Sequence, residues 1–211
     1  LSIYGAVMMM LGDPKAGIQF TGKALALLKV RPDNEIAVIT HVRRSTAFRL
    51  AGNLQQALED AEEAIRLSDG TSLSSLLAGA YHAKGSALYQ SGKLVDALDW
   101  LQKARVLYQN AGHEQGATKV ALDIGGDLQY LGRFAEAEQT YLDVLAYYQS
   151  TGNVVWQANL LNNVGVVHFL VGEYEKAFFE FEQSIQYARL GGYQRLEAYA
   201  LTSLGDLFRD L

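Results

Sequence analysis

Residues 160–188 read LLNNVGVVHFLVGEYEKAFFEFEQSIQYA and contain two apolar stripes separated by a glycine. The members of the first stripe recur with the 3.6-residue period of an α-helix: Leu160, Leu161, Val164, Val167 and His168. The second stripe has the same period: Ala177, Phe178, Phe181, Ile185 and Ala188. Gly172 lies between the stripes and precedes a polar residue. A glycine in this position is typical of the left-handed residue that ends a helix. The stretch therefore predicts two helices joined by a tight turn.

The same pattern recurs every 40 residues along the chain. The turn glycine belongs to the series Gly12, Gly52, Gly92, Gly132 and Gly172. Two further series of small residues keep the interval: Gly5, Ser45, Gly85, Gly125, Gly165 and Gly205, and Gly17, Ala57, Ala97, Ala137 and Ala177. These last two series fall within predicted helices, where glycine costs ~1 kcal/mol relative to alanine. We therefore expect paired helices to approach closely at these positions.

An all-α chain of helical hairpins follows from this repeat. We predict helices near residues 1–11, 14–29, 35–51, 54–68, 73–91, 94–110, 115–131, 134–150, 154–171, 174–190 and 194–210. They group into five repeats and one extra helix, near residues 1–33, 34–73, 74–113, 114–153, 154–193 and 194–211. We expect one continuous solenoid over residues 1–211.

The repeat resembles the tetratricopeptide (TPR) signature, W-x2-L-G-x2-Y followed by A-x3-F. The fifth repeat reads Leu161-x2-Val164-Gly165-x2-His168 and then Ala177-x3-Phe181. The fourth reads Ala121-x2-Ile124-Gly125-x2-Leu128 and then Ala137-x3-Tyr141. The resemblance covers essentially the whole chain. It implies a right-handed TPR superhelical solenoid of antiparallel helix hairpins that binds partners and is not an enzyme.

Two departures from the usual repeat refine this resemblance. The period is 40 residues instead of ~34, and the usual proline after the second helix is missing. The longer unit is similar to the sensor region of bacterial transcription activators of the maltose-activator type. It also resembles the peptide-binding repeats of kinesin light chain and of Pins-type scaffolds. The likeness implies a peptide or protein partner and a regulatory region of a transcription regulator or signalling protein; the alternatives are a small-molecule (inducer) sensor and a self-assembly module.

The resemblance also implies which residues line a concave groove for the partner. They are Arg43, Arg49, His82, Ser86, Tyr89, Gln90, Asp123, Gln129, Tyr130, Asn159, Asn162, Asn163 and Phe169. Asparagine side chains can donate and accept hydrogen bonds with a ligand backbone. The three aromatic residues either pack between hairpins or form a peptide-binding strip. The family's carboxylate clamp for chaperone tails is not expected, because Val42 and Thr46 replace its lysine and asparagine.

Composition excludes several classes of function. The 211-residue chain has a net charge of −5 and no basic tract longer than Arg43-Arg44, which argues against direct nucleic-acid binding. No apolar run approaches the ~18 residues of a membrane span. The chain has no cysteine, so it has no disulfide framework and no thiolate site. This composition fits a reducing compartment, and we expect a cytoplasmic protein.

The sequence contains no motif that indicates catalysis, metal binding or nucleotide binding, so we predict no catalytic residue, no metal site and no cofactor. Gly17-x4-Gly22-Lys23-Ala24 approaches a phosphate loop, but it lacks the final hydroxyl and falls within a predicted helix. The four histidines lack sequence neighbours at ligand spacing, and His168 suits a core position. The carboxylates of residues 59–63 are interpreted as a solvated helix face.

Both ends of the chain are apolar where a solenoid usually carries a polar cap. The residues concerned are Leu1, Ile3 and Tyr4 at one end and Leu204, Leu207 and Phe208 at the other. We expect either a longer parent protein or a homo-oligomer formed through the end repeats.

Overall fold

The computed structural model describes residues 1–68 and 74–211. These ranges contain eleven α-helices and no strand. The helices are α1 (Ser2–Met10), α2 (Pro14–Val30), α3 (Asn34–Leu50), α4 (Leu54–Ser68), α5 (Ser74–Gln90), α6 (Leu94–Asn110), α7 (Glu114–Tyr130), α8 (Phe134–Ser150), α9 (Val154–Leu170), α10 (Tyr174–Leu190) and α11 (Gln194–Asp210). The all-α prediction is confirmed, with helix ends within one or two residues of those expected. The predicted first residue of the fifth helix, at position 73, lies outside the described ranges.

Glycines at the turns explain why the helices end where they do. Gly172 has a φ of +83°, a left-handed conformation that costs glycine little. Its N–H donates to Phe169 O at 3.1 Å, and Glu173 N–H donates to His168 O at 2.8 Å. These two bonds satisfy carbonyls that the ending helix leaves unpaired. The predicted turn series shares this conformation, as do the glycines between hairpins: Gly12, Gly52, Gly92, Gly112, Gly132, Gly152 and Gly192.

Polar caps start several of the helices. The Asp13 carboxylate accepts a hydrogen bond from Ala16 N–H at 2.9 Å, and Pro14 occupies the first helical position. Asp33 caps α3 in the same way, and the Asn153 side chain accepts from Trp156 N–H at 3.3 Å. Each cap satisfies an N–H that has no partner within its own helix.

The chain divides into two compact units. Unit 1 is Leu1–Asp123 and unit 2 is Ile124–Leu211, so that the division falls within α7. In unit 1 each helix from α1 to α5 packs on the next, α5 packs on α6, and α1 and α5 also contact α3. In unit 2 each helix from α8 to α11 packs on its neighbour, and α9 also contacts α11. Successive odd-numbered helices therefore form a layer of their own within each unit.

The two helices of a hairpin cross at the small residues that recur along the chain. A Cβ atom on Gly165 would lie 2.7 Å from the buried Phe181 ring, so only glycine fits there without movement. Serine replaces glycine at position 45 of the series, and its hydroxyl forms a hydrogen bond between the helices: Ser45 Oγ donates to Ala57 O at 2.7 Å. The predicted close approach is confirmed at these positions. In unit 2, Phe181 at this crossing also belongs to a core cluster of buried residues. Its members are Ala177, Phe181, Ile185, Ala200, Leu204 and Leu207.

Candidate functional site

Predicted groove residues of unit 1 form hydrogen bonds across successive odd-numbered helices, two pairs with each other and Arg43 with Ser2, which was not predicted. His82 Nε2 of α5 lies 2.6 Å from Asp123 Oδ2 of α7. Arg49 of α3 donates to Gln90 Oε1 of α5 at 3.5 Å, and Arg43 donates to Ser2 Oγ of α1 at 2.9 Å. Each pair is separated by 41 residues, one more than the repeat. These side chains define what we call the odd-helix face. Ser86 and Tyr89, also predicted, are half-buried on α5.

The three aromatic residues behave differently from one another. Tyr130 ends α7 and is 70% exposed. Phe169, near the end of α9, packs against the core cluster of unit 2 and lies 6.0 Å from the Tyr174 ring. Phe169 is therefore a packing residue, whereas Tyr130 is accessible to a partner. Gln129, beside Tyr130, accepts a hydrogen bond from the Tyr141 hydroxyl of α8 at 3.4 Å.

A cavity of about 190 Å³ lies between α9 and α11 in unit 2. We call it the asparagine pocket. Its lining residues are Ala158, Asn159, Asn162, Ser184, Leu196, Tyr199, Thr202 and Ser203. Asn163 Nδ2 donates to Asn159 Oδ1 at 3.5 Å, beside the pocket. The structure thus places two of the three predicted asparagines in one cavity and the third next to it. Sequence analysis did not predict the contribution of α11.

Hydrogen bonding within the asparagine pocket is incomplete. Asn162 Oδ1 is buried and has no hydrogen-bond partner within the described chain. Thr202 donates its hydroxyl proton to Ala198 O at 2.9 Å, and Ser203 donates to Tyr199 O at 3.2 Å. The Tyr199 hydroxyl accepts from Arg195 at 3.0 Å and 2.9 Å. A buried acceptor without a partner costs about 1–3 kcal/mol, so the pocket favours a ligand that supplies the missing donor.

A buried polar cluster in unit 1 contradicts part of the sequence analysis. Asp60 was expected on a solvated face, but its side chain is only 6% exposed. The guanidinium of Arg44 donates to both Asp60 oxygens at 2.7 Å, and His41 Nδ1 lies 2.8 Å from Oδ1. Burial would raise the pKa of Asp60, but the Arg44 and His41 hydrogen bonds outweigh it and lower the pKa below its ordinary value. Arg44 and His41 also border a cavity of about 560 Å³ between α2, α3 and α4.

A second cluster, in unit 2, surrounds His168. Its Nδ1 lies 2.6 Å from Glu180 of α10, and its Nε2 lies 3.1 Å from Glu138 of α8. Glu173 lies 3.7 Å from Nε2 and pairs with Lys176 at 2.7 Å. Burial alone would lower the pKa of His168, but the bonds to Glu180 and Glu138 raise it. Burial also raises the pKa of Glu180. The core position expected for His168 is confirmed, but its carboxylate partners were missed.

A regular offset in the sequence could have revealed that second cluster. Within a repeat, the first helix meets the second at a separation of 12 residues. Ser45 bonds Ala57 O, Gln129 bonds Tyr141, and His168 bonds Glu180 at this separation. A carboxylate 12 residues after a histidine was therefore a usable signal.

Two absences bear on function within the described residues. No group of histidine, cysteine, aspartate and glutamate side chains there is arranged to hold a metal ion. No helix in residues 1–68 and 74–211 has the length and apolar character to cross a bilayer. The phosphate-loop-like segment at Gly17 lies inside α2, as the sequence predicted.

Residues 117–189 match the tetratricopeptide repeat family model. No curated protein matches the chain in sequence.

Solved structures show the same fold. BtubC (BKLC) from P. vanneervenii is 15% identical with a TM-score of 0.74, over 97% of this chain and 84% of that one. A signal transduction ATPase with numerous domains (STAND) from Pyrococcus horikoshii, with a tetratricopeptide repeat sensor, is 15% identical; the TM-score is 0.83 over 96% of this chain and 31% of that one. The Rap conjugation gene regulator of plasmid pLS20, in complex with the Phr* peptide, is 16% identical; the TM-score is 0.78 over 93% of this chain and 54% of that one. The expected fold of TPR-like helix hairpins is confirmed.

Proposed function

We propose that the asparagine pocket of unit 2 is the centre of a site that binds a peptide, or an extended segment of another protein. The observation that carries the proposal is the buried Asn162 Oδ1, which has no hydrogen-bond partner within the described chain. An extended backbone presents N–H and C=O groups in alternation. Asparagine side chains offer both a donor and an acceptor to such a backbone.

The size of the pocket supports a peptide over a free metabolite. Sites for small molecules usually enclose ~300–1,000 Å³, whereas the asparagine pocket encloses about 190 Å³. One side chain of a longer ligand fits this volume. The exposed ring of Tyr199 at the rim, and the exposed Tyr130 on α7, offer apolar contact for other parts of that ligand.

Two of the similar proteins support a regulatory role. The Rap regulator was solved with a bound peptide, and the STAND protein carries a repeat sensor. We infer by analogy that this chain is the regulatory region of a transcription regulator or signalling protein, such as the maltose-activator type that the 40-residue period resembles. In that role peptide binding is the signal, and the chain itself performs no catalysis.

Selection from a phage-displayed library of random 12-residue peptides tests the proposal. We expect enriched peptides whose affinity, measured by fluorescence polarisation, falls at least tenfold in both Asn162→Ala and Asn163→Ala, because each substitution removes a donor and an acceptor. Gln183→Ala, on the exposed side of α10, is the matched control and retains the affinity. Failure to enrich any peptide, or equal affinities for all three variants, would overturn the proposal.

A further inference from the structure

We propose that the asparagine pocket recognises a carboxamide side chain, that of glutamine or asparagine, on the bound peptide. This inference rests on the proposed function and names the chemistry of its central contact. It follows from the donors and acceptors that line the pocket, from the absence of charge there, and from the volume.

The lining of the pocket holds acceptors that no hydrogen bond within the described chain occupies. Thr202 and Ser203 commit their hydroxyl protons to α11 carbonyls, which leaves only oxygen lone pairs for a ligand. Asn162 Oδ1 is a further acceptor without a partner within the described residues. The terminal torsion of an asparagine is broad, and its rotation would bring this oxygen to the cavity. A ligand group with two N–H donors on one nitrogen matches this arrangement.

Charge distinguishes a carboxamide from an ammonium or a guanidinium. None of the eight lining residues carries a formal charge. A cation buried there would lose its hydration without gaining a carboxylate, which costs several kcal/mol. A carboxylate buried there would likewise lose its hydration without gaining a cation from the lining residues. A neutral amide avoids both costs and still supplies the donors.

A carboxamide also pairs reciprocally with Asn162. Its nitrogen donates to Asn162 Oδ1 while its oxygen accepts from Asn162 Nδ2, and this pairing works for either orientation of the asparagine amide. The volume agrees, because about 190 Å³ is the space of roughly six water molecules at ~30 Å³ each. Ala158 and Leu196 supply apolar contact for the methylene groups of the incoming side chain.

Peptides from the library selection provide the test. We expect a glutamine or asparagine at one fixed position among the enriched sequences. Replacing it in the synthetic peptide by glutamate or by methionine should weaken binding roughly tenfold to a hundredfold, because both replacements leave pocket acceptors unpaired. The isosteric variant Asn162→Asp should shift selection toward lysine or arginine at that position, since it introduces a carboxylate.

The outcomes separate this inference from the proposed function. Peptides that lose affinity in Asn163→Ala, yet tolerate methionine in place of the carboxamide, would overturn the carboxamide inference and leave peptide binding standing. A library that yields no peptide overturns both. Thr202→Val, an exposed and nearly isosteric change, provides a second route if Asn162→Asp does not fold: weaker binding of the carboxamide peptide supports the inference, and unchanged binding contradicts it.

Discussion

The two units bury polar clusters in which the central group differs: a carboxylate in unit 1 and an imidazole in unit 2. In unit 1 a single carboxylate, Asp60, lies between the guanidinium of Arg44 and the imidazole of His41. In unit 2 a single imidazole, His168, lies between carboxylates of neighbouring elements. Both ring nitrogens of His168 face carboxylate oxygens, which only accept when ionised, so the charged imidazolium satisfies them best. The fold therefore tolerates a buried charge at the hairpin crossing when partners of opposite sign arrive from adjacent helices.

The difference gives the two units different responses to pH. The lowered pKa of Asp60 means that its contribution is present above the ordinary value of 3.8 and is lost as pH falls through the lower folded pKa. The raised pKa of His168 means that its contribution is full below 6.5 and is lost as pH rises through the higher folded pKa. Glu180, whose pKa is raised, changes stability in the same direction as His168. Glu138, Glu173 and Lys176 are the other charged groups that face this cluster.

The largest effect is expected from Asp60→Ala. The substitution leaves Arg44 and His41 against the hairpin crossing without their carboxylate, and we expect unit 1 to lose about 3 kcal/mol of unfolding free energy at pH 7. Urea unfolding followed by Trp100 fluorescence, in a Trp156→Phe background, reports on unit 1. Glu59→Ala, one residue earlier and exposed, should change the free energy by less than about 0.5 kcal/mol. A similar loss in both variants would contradict the role assigned to Asp60.

A smaller, pH-dependent effect is expected from His168→Gln. Glutamine keeps a donor for Glu180 but carries no charge, so the variant should lose about 1.5 kcal/mol in unit 2 at pH 6 and much less at pH 9. The wild-type chain should itself become less stable as pH rises across this range. Unfolding followed by Trp156 in a Trp100→Phe background measures both.

Gln183→Ala serves again as the control for the pH experiment, because this α10 residue is exposed and uncharged and should keep the wild-type pH profile. A His168→Gln variant with an unaltered slope between pH 6 and pH 9 would show that the buried imidazole does not titrate there.

The smallest effect concerns the tryptophan that reports on unit 1. Lys84 Nζ lies 4.4 Å from the centre of the Trp100 ring, and Lys103 Nζ lies 4.8 Å from it. Lys84→Met should cost about 0.5–1 kcal/mol. Lys93→Met, at the exposed start of α6, is the matched control. Equal stability of the two variants would show that the cation–π contact contributes nothing measurable.

Much of the fold was predictable because local rules determine it. A glycine such as Gly172 ends a helix through its own backbone conformation, and the apolar stripes on either side set the buried faces. The 40-residue interval then extended this local result to every hairpin. The division into two units, with its boundary inside α7, has no counterpart in the repeat pattern.

The candidate site was predictable only in part. Asn159 and Asn162 border one cavity because they lie three residues apart on one helix. The hydroxyl groups of Thr202 and Ser203 come from α11, and their contribution depends on how α9 and α11 pack. Asp60 was misassigned for the same reason: its helix face looked acidic and solvated until Arg44 and His41 were placed against it.

The turn glycines also make the array easy to lengthen. The 40-residue segment from Gly132 to Val171 carries a complete set of helix ends, so a copied segment would meet its new neighbours through junctions that already work. Contacts such as that between His82 and Asp123 reach one residue beyond the period and join different repeats. Gene duplication would therefore add hairpins whose helix ends are already complete. The polar side chains that pair between neighbouring repeats would still need new substitutions to become complementary.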